Sequence, residues 1–203
     1  MKFIAFFLFV SGMVNAGAQQ IPVPITGTIH VMGDSLAFGT GAPSTALSPT
    51  NCLKKGFPGS EVINEAVPGT KSDKFLKTIT GWVPTANSQM VFVSMGGNDV
   101  IWNVLKPGQF PEQNSLANMH QIFDELQKPG VVVVYLGLAP PRPDSDRLPL
   151  ISLMAESKGV LVVDGMDGLW NKLQLMSDPV HPNTKGYAIM CDKILQALQE
   201  YVP

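Results

Sequence analysis

The hydrophobic pattern of the chain alternates between short apolar runs and longer amphipathic segments. Five short runs are rich in valine and isoleucine and are bounded by glycine or polar residues, so each predicts a buried strand. These strands are predicted over 28–32, 61–66, 90–94, 131–136 and 160–163. Between them apolar residues recur at helical spacing, which predicts helices over 47–55, 72–80, 113–127, 148–158 and 184–202. The alternation predicts an α/β fold with one mostly parallel sheet covered on both faces.

The first residues follow a different pattern. Lys2 precedes an apolar block over 3–10, and a run of small residues ending at Ala18 has the form of a cleavage site. A membrane-spanning helix needs roughly 18–20 apolar residues, and this block is far shorter. The alternatives are a buried core strand or a membrane anchor. We expect residues 1–18 to be a signal peptide, residues 19–203 to form one domain, and the protein to be exported to the periplasm or secreted.

The composition narrows the classes of function. The 203 residues are 45% hydrophobic and 15% charged, with a formal net charge of −2. Such a chain can bury a core and is not intrinsically disordered, and it lacks the basic surface with which proteins bind nucleic acids. Two cysteines are too few for a cysteine-rich zinc module. Because the aspartates, histidines and cysteines are scattered, we expect no metal and no organic cofactor.

Polar residues follow three of the predicted strands at their carboxyl ends, where α/β sheets bind ligands. The first strand runs into the sequence Gly-Asp-Ser-Leu at 33–36, which places a serine hydroxyl on a tight turn. The second is followed by Gly69, whose N–H carries no side chain in its way, and the third by Asn98, a short amide donor. These groups are expected to meet at one edge of the sheet.

A histidine near the carboxyl end completes a set of groups suited to acyl transfer. Asp178 precedes His181 by three residues and can accept a hydrogen bond from Nδ1–H, which leaves Nε2 free to act as a base. Acyl transfer needs a nucleophilic hydroxyl, an oriented base and fixed donors for an oxyanion. The candidates are Ser35 as nucleophile, His181 as general acid and base, Asp178 as its orienting partner, and the Ser35 N–H, the Gly69 N–H and the Asn98 amide as oxyanion donors.

The combination and order of these motifs resemble those of the SGNH hydrolases, also called GDSL hydrolases. The likeness runs from about residue 29 to residue 187, and the segment 181–187 is similar to that of the secreted thioesterase I and lysophospholipase L1-like subgroup. The resemblance implies a three-layer α/β/α sandwich with a flavodoxin-like, five-stranded parallel sheet. It also implies a serine hydrolase that cleaves a small ester, thioester or acyl lipid. We expect a monomer with no nucleic-acid partner and no stable membrane anchor.

The sequence leaves other functions open. A carbohydrate O-acetyl esterase uses the same residues, acyl transfer to an acceptor other than water does so too, and a non-catalytic binding protein can share the scaffold. The loop after Asn98 is unusually apolar, so Trp102 and Leu105 are candidate walls of an acyl pocket, or else they pack over the next helix. In the segment that leads to Asp178, further candidates for the same cleft are Met166, Trp170 and Met176.

The two cysteines lie on the first and last predicted helices. In a doubly wound sheet of this order these helices pack side by side on one face, and Cys191 belongs to the apolar stripe of the last helix. An exported protein meets an oxidising environment, which favours a disulfide between Cys52 and Cys191. The alternative is a pair of buried free thiols.

Overall fold

A parallel sheet of five strands forms the centre of the molecule. The computed structural model describes residues 24–42, 48–108, 111–138 and 147–203, so the predicted signal peptide lies outside the described residues. The strand order is β2-β1-β3-β4-β5, and every pair is parallel. The strands are β1 (Thr28–Gly33), β2 (Val62–Asn64), β3 (Ser88–Ser94), β4 (Val132–Leu136) and β5 (Leu161–Val163). All five predicted strands are confirmed.

Helices cover the sheet on both sides. In the described residues they are α1 (Ser35–Phe38), α2 (Pro49–Gly56), α3 (Ser72–Ile79), α4 (Gly97–Leu105), α5 (Glu112–Leu126), α6 (Arg147–Ser157) and α7 (Thr184–Ala197). Helices α2 and α7 contact each other, and α3, α5 and α6 form a second row of neighbours. Because crossovers between parallel strands are right-handed, the two groups lie on opposite faces. The fold is therefore the expected α/β/α sandwich.

One expectation from the sequence was wrong. The residues after β3 were expected to form a loop, but they form helix α4. Polar residues at 98 and 99 suggested a loop, whereas a short acidic or amide side chain is also favourable in the first turn of a helix. The apolar residues that follow are therefore spread around a helix and do not line one wall.

Strand β2 and helix α7 both end before their predicted last residues, and a hydrogen bond accompanies each end. Strand β2 ends at Asn64 because the side chain of that residue accepts from the Ala66 N–H at 3.0 Å and forms a turn. Helix α7 ends at Ala197 and is followed by a 3₁₀ turn whose Tyr201 carbonyl accepts from the Ile25 N–H at 2.8 Å. A local side-chain hydrogen bond thus ends the strand at Asn64. After helix α7, a backbone hydrogen bond to a distant residue holds the 3₁₀ turn.

The sheet order places the ends of β1 and β3 side by side. Strand β1 lies between β2 and β3, so the direction of winding reverses there and a crevice opens at the carboxyl edge. Gly33 is paired in register with Ser94, and its φ of 118° lies in the region that favours glycine. A Cβ at Gly33 would collide with the Ser94 carbonyl oxygen. Across the described residues, no helix is both long and apolar enough to span a membrane.

Candidate active site

Ser35 lies at the first position of helix α1, directly after β1. Asp34 caps this helix, since its carboxylate accepts from the Leu36 N–H at 3.0 Å. The Ser94 hydroxyl donates to the same carboxylate at 2.9 Å, and the Asp34 N–H donates to the Ser94 carbonyl at 3.0 Å. At this first position the Ser35 N–H has no acceptor within the helix. The turn is therefore held from β3 while the serine presents both its hydroxyl and its N–H.

The Asp34 carboxyl is buried beside the serine. Burial raises its pKa to about 6, and the hydrogen bonds from Ser94 and Leu36 act in the opposite direction. These contacts belong to a residue that stabilises the turn. At neutral pH the Asp34 carboxyl is ionised, and keeping this charge buried lowers the stability of the folded protein.

Ser35, His181 and Asp178 form one continuous hydrogen-bonded chain. The Ser35 hydroxyl lies 2.9 Å from His181 Nε2, and His181 Nδ1 lies 2.7 Å from Asp178 Oδ2. Because a carboxylate only accepts, Nδ1 carries the proton and Nε2 is the acceptor for the serine hydroxyl. The structure thus brings together the three residues that the sequence singled out, although 146 positions separate Ser35 from His181.

The orientation of Asp178 is set by its own short turn. Its Oδ1 accepts from the Val180 N–H at 2.7 Å and from the His181 N–H at 2.8 Å, while Oδ2 faces the imidazole. Partial burial opposes ionisation, but the hydrogen bonds from the His181 side chain and from these two N–H groups outweigh it and lower the pKa of Asp178. The carboxylate therefore stays ionised beside the imidazole.

The histidine loop is tied to the serine turn. Ser177 donates its N–H to the His181 carbonyl at 2.9 Å, which closes the loop. Tyr187, in the first turns of α7, donates its hydroxyl to the Thr40 carbonyl at 2.9 Å, just beyond α1. The segment that carries the base and the segment that carries the hydroxyl are thereby held together.

The two other predicted oxyanion donors come from neighbouring loops. Gly69 has a φ of 77°, is exposed, and has open space where a Cβ would be. Asn98, at the start of α4, donates one amide hydrogen to the Thr70 carbonyl at 2.9 Å. That bond orients the amide and leaves its second hydrogen available to a ligand.

A buried network joins these two loops. Asp99 accepts from the Ser72 N–H at 3.0 Å and from the Ser72 hydroxyl at 2.6 Å. The Asn118 amide of α5 donates to the Ser72 hydroxyl at 3.1 Å. Asp99 thus holds the start of α4 against a serine 27 residues away, a partner that carries no local signal in the sequence.

An apolar cavity of about 40 Å³ opens beside Ser35 and Asn98. Its walls are mostly aliphatic, with one indole. The lining residues are Asp34, Ser35, Leu36, Gly97, Asn98, Val100, Ile101, Leu138, Leu148, Trp170 and Val180. Of the three candidates before Asp178, the structure places Trp170 in this lining, whereas Met166 and Met176 are not among the described lining residues.

Trp102 and Leu105, the candidate acyl-pocket residues, do not line this cavity. Their side chains are exposed by 36% and 66%, and Lys106 Nζ lies 5.6 Å from the centre of the Trp102 ring. Val100 and Ile101, nearer the start of α4, line the cavity instead, whereas Trp102 and Leu105 lie farther along the helix, where their side chains are exposed. An apolar run interpreted as a loop cannot reveal which of its members share a face.

A second serine, histidine and carboxylate also form a chain, across strands β2, β1 and β3. His30 Nδ1 lies 2.7 Å from Glu65 Oε2, and His30 Nε2 lies 2.9 Å from the Ser88 hydroxyl. Ser88 is at the beginning of β3, however, and it does not line the cavity described above. His30 is therefore a hydrogen-bonded, buried residue, and Ser88 offers a matched control for Ser35.

Cys52 of α2 and Cys191 of α7 form a disulfide, with 5.5 Å between their Cα atoms. Both residues are buried where the two helices pack together. Among the described residues, no group of three or more histidine, cysteine, aspartate or glutamate side chains is placed to hold a metal ion.

Comparison with known proteins gives a family and a fold. The model of the GDSL-like lipase/acylhydrolase family matches residues 31–189, which include every residue of the site. No curated protein matches the chain.

Three solved structures illustrate the likeness in fold. The crystal structure of TesA superposes with a TM-score of 0.71 at 19% identity, covering 86% of this chain and 99% of that chain. The psychrotrophic esterase EstA from Pseudoalteromonas sp. superposes with a TM-score of 0.69 at 18% identity, covering 86% of this chain and 98% of that chain. Axe2, an acetylxylan esterase from Geobacillus stearothermophilus, superposes with a TM-score of 0.70 at 19% identity, covering 90% of this chain and 99% of that chain.

Proposed function

Because the chain belongs to the GDSL-like lipase/acylhydrolase family, we propose that it is a serine hydrolase that cleaves carboxylic esters or thioesters through an acyl-enzyme on Ser35. The observation that carries the proposal is the unbroken chain from Asp178 through His181 to the Ser35 hydroxyl. That chain ends beside an apolar cavity and next to the loops of Gly69 and Asn98.

Acylation begins when the Ser35 oxygen attacks the carbonyl carbon of the substrate. The hydroxyl proton passes to His181 Nε2 at 2.9 Å, and Asp178 stabilises the imidazolium that forms. The carbonyl oxygen becomes an oxyanion, for which the N–H groups of Ser35 and Gly69 and the free amide hydrogen of Asn98 are the donors. Collapse of this intermediate breaks the bond to the leaving alcohol or thiol, which takes its proton from His181.

Deacylation repeats these steps with water. His181 removes a proton from the water molecule, the hydroxide attacks the acyl carbon, and the same donors receive the second oxyanion. The Ser35 oxygen then leaves as the hydroxyl after taking the proton back from His181.

The size of the cavity supports a short acyl group. One water molecule needs about 10–15 Å³ of such space, so about 40 Å³ accommodates an acyl chain of about two to four carbons. The lining beyond Asp34, Ser35 and Asn98 consists of aliphatic side chains, glycine and Trp170, which suits an alkyl group. This observation favours, as a second candidate, the carbohydrate O-acetyl esterase over an enzyme for long-chain lipids.

Labelling with a fluorophosphonate tests the nucleophile. We expect the native protein to form a covalent adduct on Ser35, detected by mass spectrometry of the intact chain and its peptides, and Ser35→Ala to form none. Ser88→Ala is the matched control, since it removes the hydroxyl of the other serine, histidine and carboxylate set. An unlabelled native protein, or a label carried by Ser88, would contradict the proposal and favour a non-catalytic binding protein.

A series of p-nitrophenyl esters from acetate to decanoate tests the acyl group. We expect kcat/KM to be highest for acyl chains of about two to four carbons and to fall steeply beyond them, because longer chains exceed the cavity. Rates that hold to decanoate would contradict the short-acyl assignment and favour a thioesterase or lysophospholipase. Acetylated xylo-oligosaccharides then distinguish a carbohydrate esterase from a small-ester hydrolase by release of acetate.

A further inference from the structure

Gly41, three residues after helix α1, packs against the turn that carries His181. Its φ of 98° lies in the region that favours glycine. A Cβ on Gly41 would lie 2.6 Å from the Pro182 carbonyl oxygen and 2.8 Å from the His181 Cβ, and it would also collide with the Ser177 hydroxyl. Residues 35–41, the serine segment, therefore approach this turn more closely than a residue with a side chain allows.

The histidine turn, residues 177–182, is braced against such a collision. The Pro182 oxygen belongs to the backbone, and the His181 Cβ is bonded to it directly, so neither atom moves without the turn. The Ser177 N–H and hydroxyl both donate to the His181 carbonyl, at 2.9 and 3.1 Å. Asp178 Oδ1 accepts from the His181 N–H at 2.8 Å. The turn therefore shifts as a unit and takes the imidazole with it.

The serine segment is fixed on its own side of this contact. Thr40 donates its N–H to the Ser35 carbonyl at 3.0 Å, so Gly41 is tied to the turn of the nucleophile. Atoms in van der Waals contact lie about 3.5–4.0 Å apart, so a side chain on Gly41 displaces the histidine turn by about 0.5 Å or more. Such a shift changes the 2.9 Å separation of Ser35 Oγ and His181 Nε2 and weakens their hydrogen bond.

We propose that Gly41 is a positioning residue for the general base: because it has no side chain, the histidine turn packs against the serine segment at the separation at which His181 Nε2 accepts from the Ser35 hydroxyl. This inference rests on the proposed esterase function. Gly41 is not among the described residues that line the cavity, so it acts through His181 and not on the substrate. A glycine needed only for the stability of the fold would not affect the base selectively.

Hydrolysis of p-nitrophenyl acetate by Gly41→Ala tests the proposal. We expect kcat to fall by about 10- to 100-fold, since a shift of a fraction of an ångström in a reacting group has effects of this size, and KM to change by less than about threefold. His181 acts in both acylation and deacylation, so kcat falls whichever step limits the rate. The kinetics are measured at a temperature where circular dichroism shows that every variant is folded.

Two other glycines provide matched controls away from the site. A Cβ on Gly27 would collide with the backbone oxygen of Asn87, at the amino edge of the sheet. Gly159 has a φ of 75° but open space where a Cβ would be. Gly27→Ala thus repeats the collision and Gly159→Ala the backbone strain, and both are expected to keep the native kcat. A native kcat in Gly41→Ala, or an equal loss in a control, would overturn the inference.

A double-mutant cycle with His181→Ala shows whether Gly41 acts through the base. Serine hydrolases that lack the base keep a small residual rate, which the oxyanion donors and substrate binding supply. In the His181→Ala background we expect Gly41→Ala to change this residual rate by less than about twofold, because no imidazole remains to be displaced. The same fold-loss in both backgrounds would contradict the positioning role.

The result stays separate from the test of the esterase function. If the native protein hydrolyses esters and labels at Ser35 while Gly41→Ala keeps its kcat, only the role of Gly41 fails. If the native protein neither hydrolyses nor labels, the esterase proposal itself fails.

Tyr187→Phe replaces Gly41→Ala should that variant not fold. It removes the hydroxyl bond to the Thr40 carbonyl, which holds the serine segment against helix α7 directly after the histidine turn. We expect kcat to fall by about 3- to 10-fold, the effect of one neutral hydrogen bond, and this loss to disappear in the His181→Ala background. An unchanged kcat, or an equal loss in both backgrounds, would overturn the inference.

Discussion

Ser72 donates two hydrogen bonds to the carboxylate of Asp99, one from its N–H at 3.0 Å and one from its hydroxyl at 2.6 Å. Asp99 directly follows Asn98, and Ser72 is the third residue after Gly69, so this pair joins the loops of two proposed oxyanion donors. Both residues are buried. Burial raises the pKa of Asp99, and the two bonds from Ser72 oppose that rise. The pair therefore fixes the two loops relative to each other.

Ser72→Ala removes the hydroxyl bond, and we expect it to lower kcat by about 10- to 100-fold while leaving KM nearly unchanged. Donors displaced by a fraction of an ångström bind the oxyanion less well but still admit the substrate. Steady-state kinetics at a temperature where circular dichroism shows a folded variant provide the measurement. Ser115→Ala is the control, because that buried hydroxyl donates to the Glu112 carbonyl within its own helix. Equal losses in both variants would indicate a general effect on stability.

Asn98→Ala should reduce kcat by about 10²- to 10³-fold with little change in KM. An amide donor to the oxyanion contributes mainly in the transition state, where loss of one donor costs about 2.7–4 kcal/mol. Asn103→Ala, on the same helix but outside the cavity lining, is expected to keep the native kcat. A kcat within a factor of three of the native value in Asn98→Ala would remove this residue from the oxyanion hole.

The sequence was enough to predict the strands and the residues at their ends. Valine-rich runs between glycines leave few alternatives to buried parallel strands, and the motifs around Ser35, Asn98 and His181 stand at their carboxyl ends or before the last helix. Parallel topology then brings these ends to one edge. The prediction worked where local composition and topology determine the answer together.

The rest depends on contacts between distant segments. The partnership of Ser72 with Asp99 links loops that only the fold brings together, and neither residue differs locally from an ordinary helix-start residue. The cavity wall was misassigned to Trp102 because the identity of the facing residues depends on the phase of a helix that was taken for a loop.

Asp34 makes the stability of the protein depend on pH. Burial raises its pKa from 3.8 to about 6, so between about pH 4 and 6 the folded protein binds this proton and the unfolded chain does not. The contribution of this group to the free energy of unfolding therefore falls as pH rises through that window, by roughly 3 kcal/mol in all. Asp34→Asn keeps the shape and a helix-capping oxygen but does not titrate.

Urea denaturation at several pH values measures this contribution. The free energy of unfolding of the native protein minus that of Asp34→Asn should decrease from pH 4 to pH 6 and stay constant from pH 7 to 8, where neither state binds the proton. A difference that is flat across the lower range, or one that increases with pH, would show that Asp34 is not protonated more readily in the folded state.

The disulfide between Cys52 and Cys191 closes a loop across 139 positions and joins helix α2 to helix α7. In the chain-entropy model, cross-linking so long a loop restricts the unfolded chain by about 5 kcal/mol. We therefore expect reduction with dithiothreitol to lower the free energy of unfolding by several kcal/mol, measured by urea denaturation with and without reductant. Thiol titration of the denatured protein should find no free thiol before reduction and two after it. Two free thiols before reduction would contradict the bond, and equal stability in both conditions would show that it does not restrict the unfolded chain.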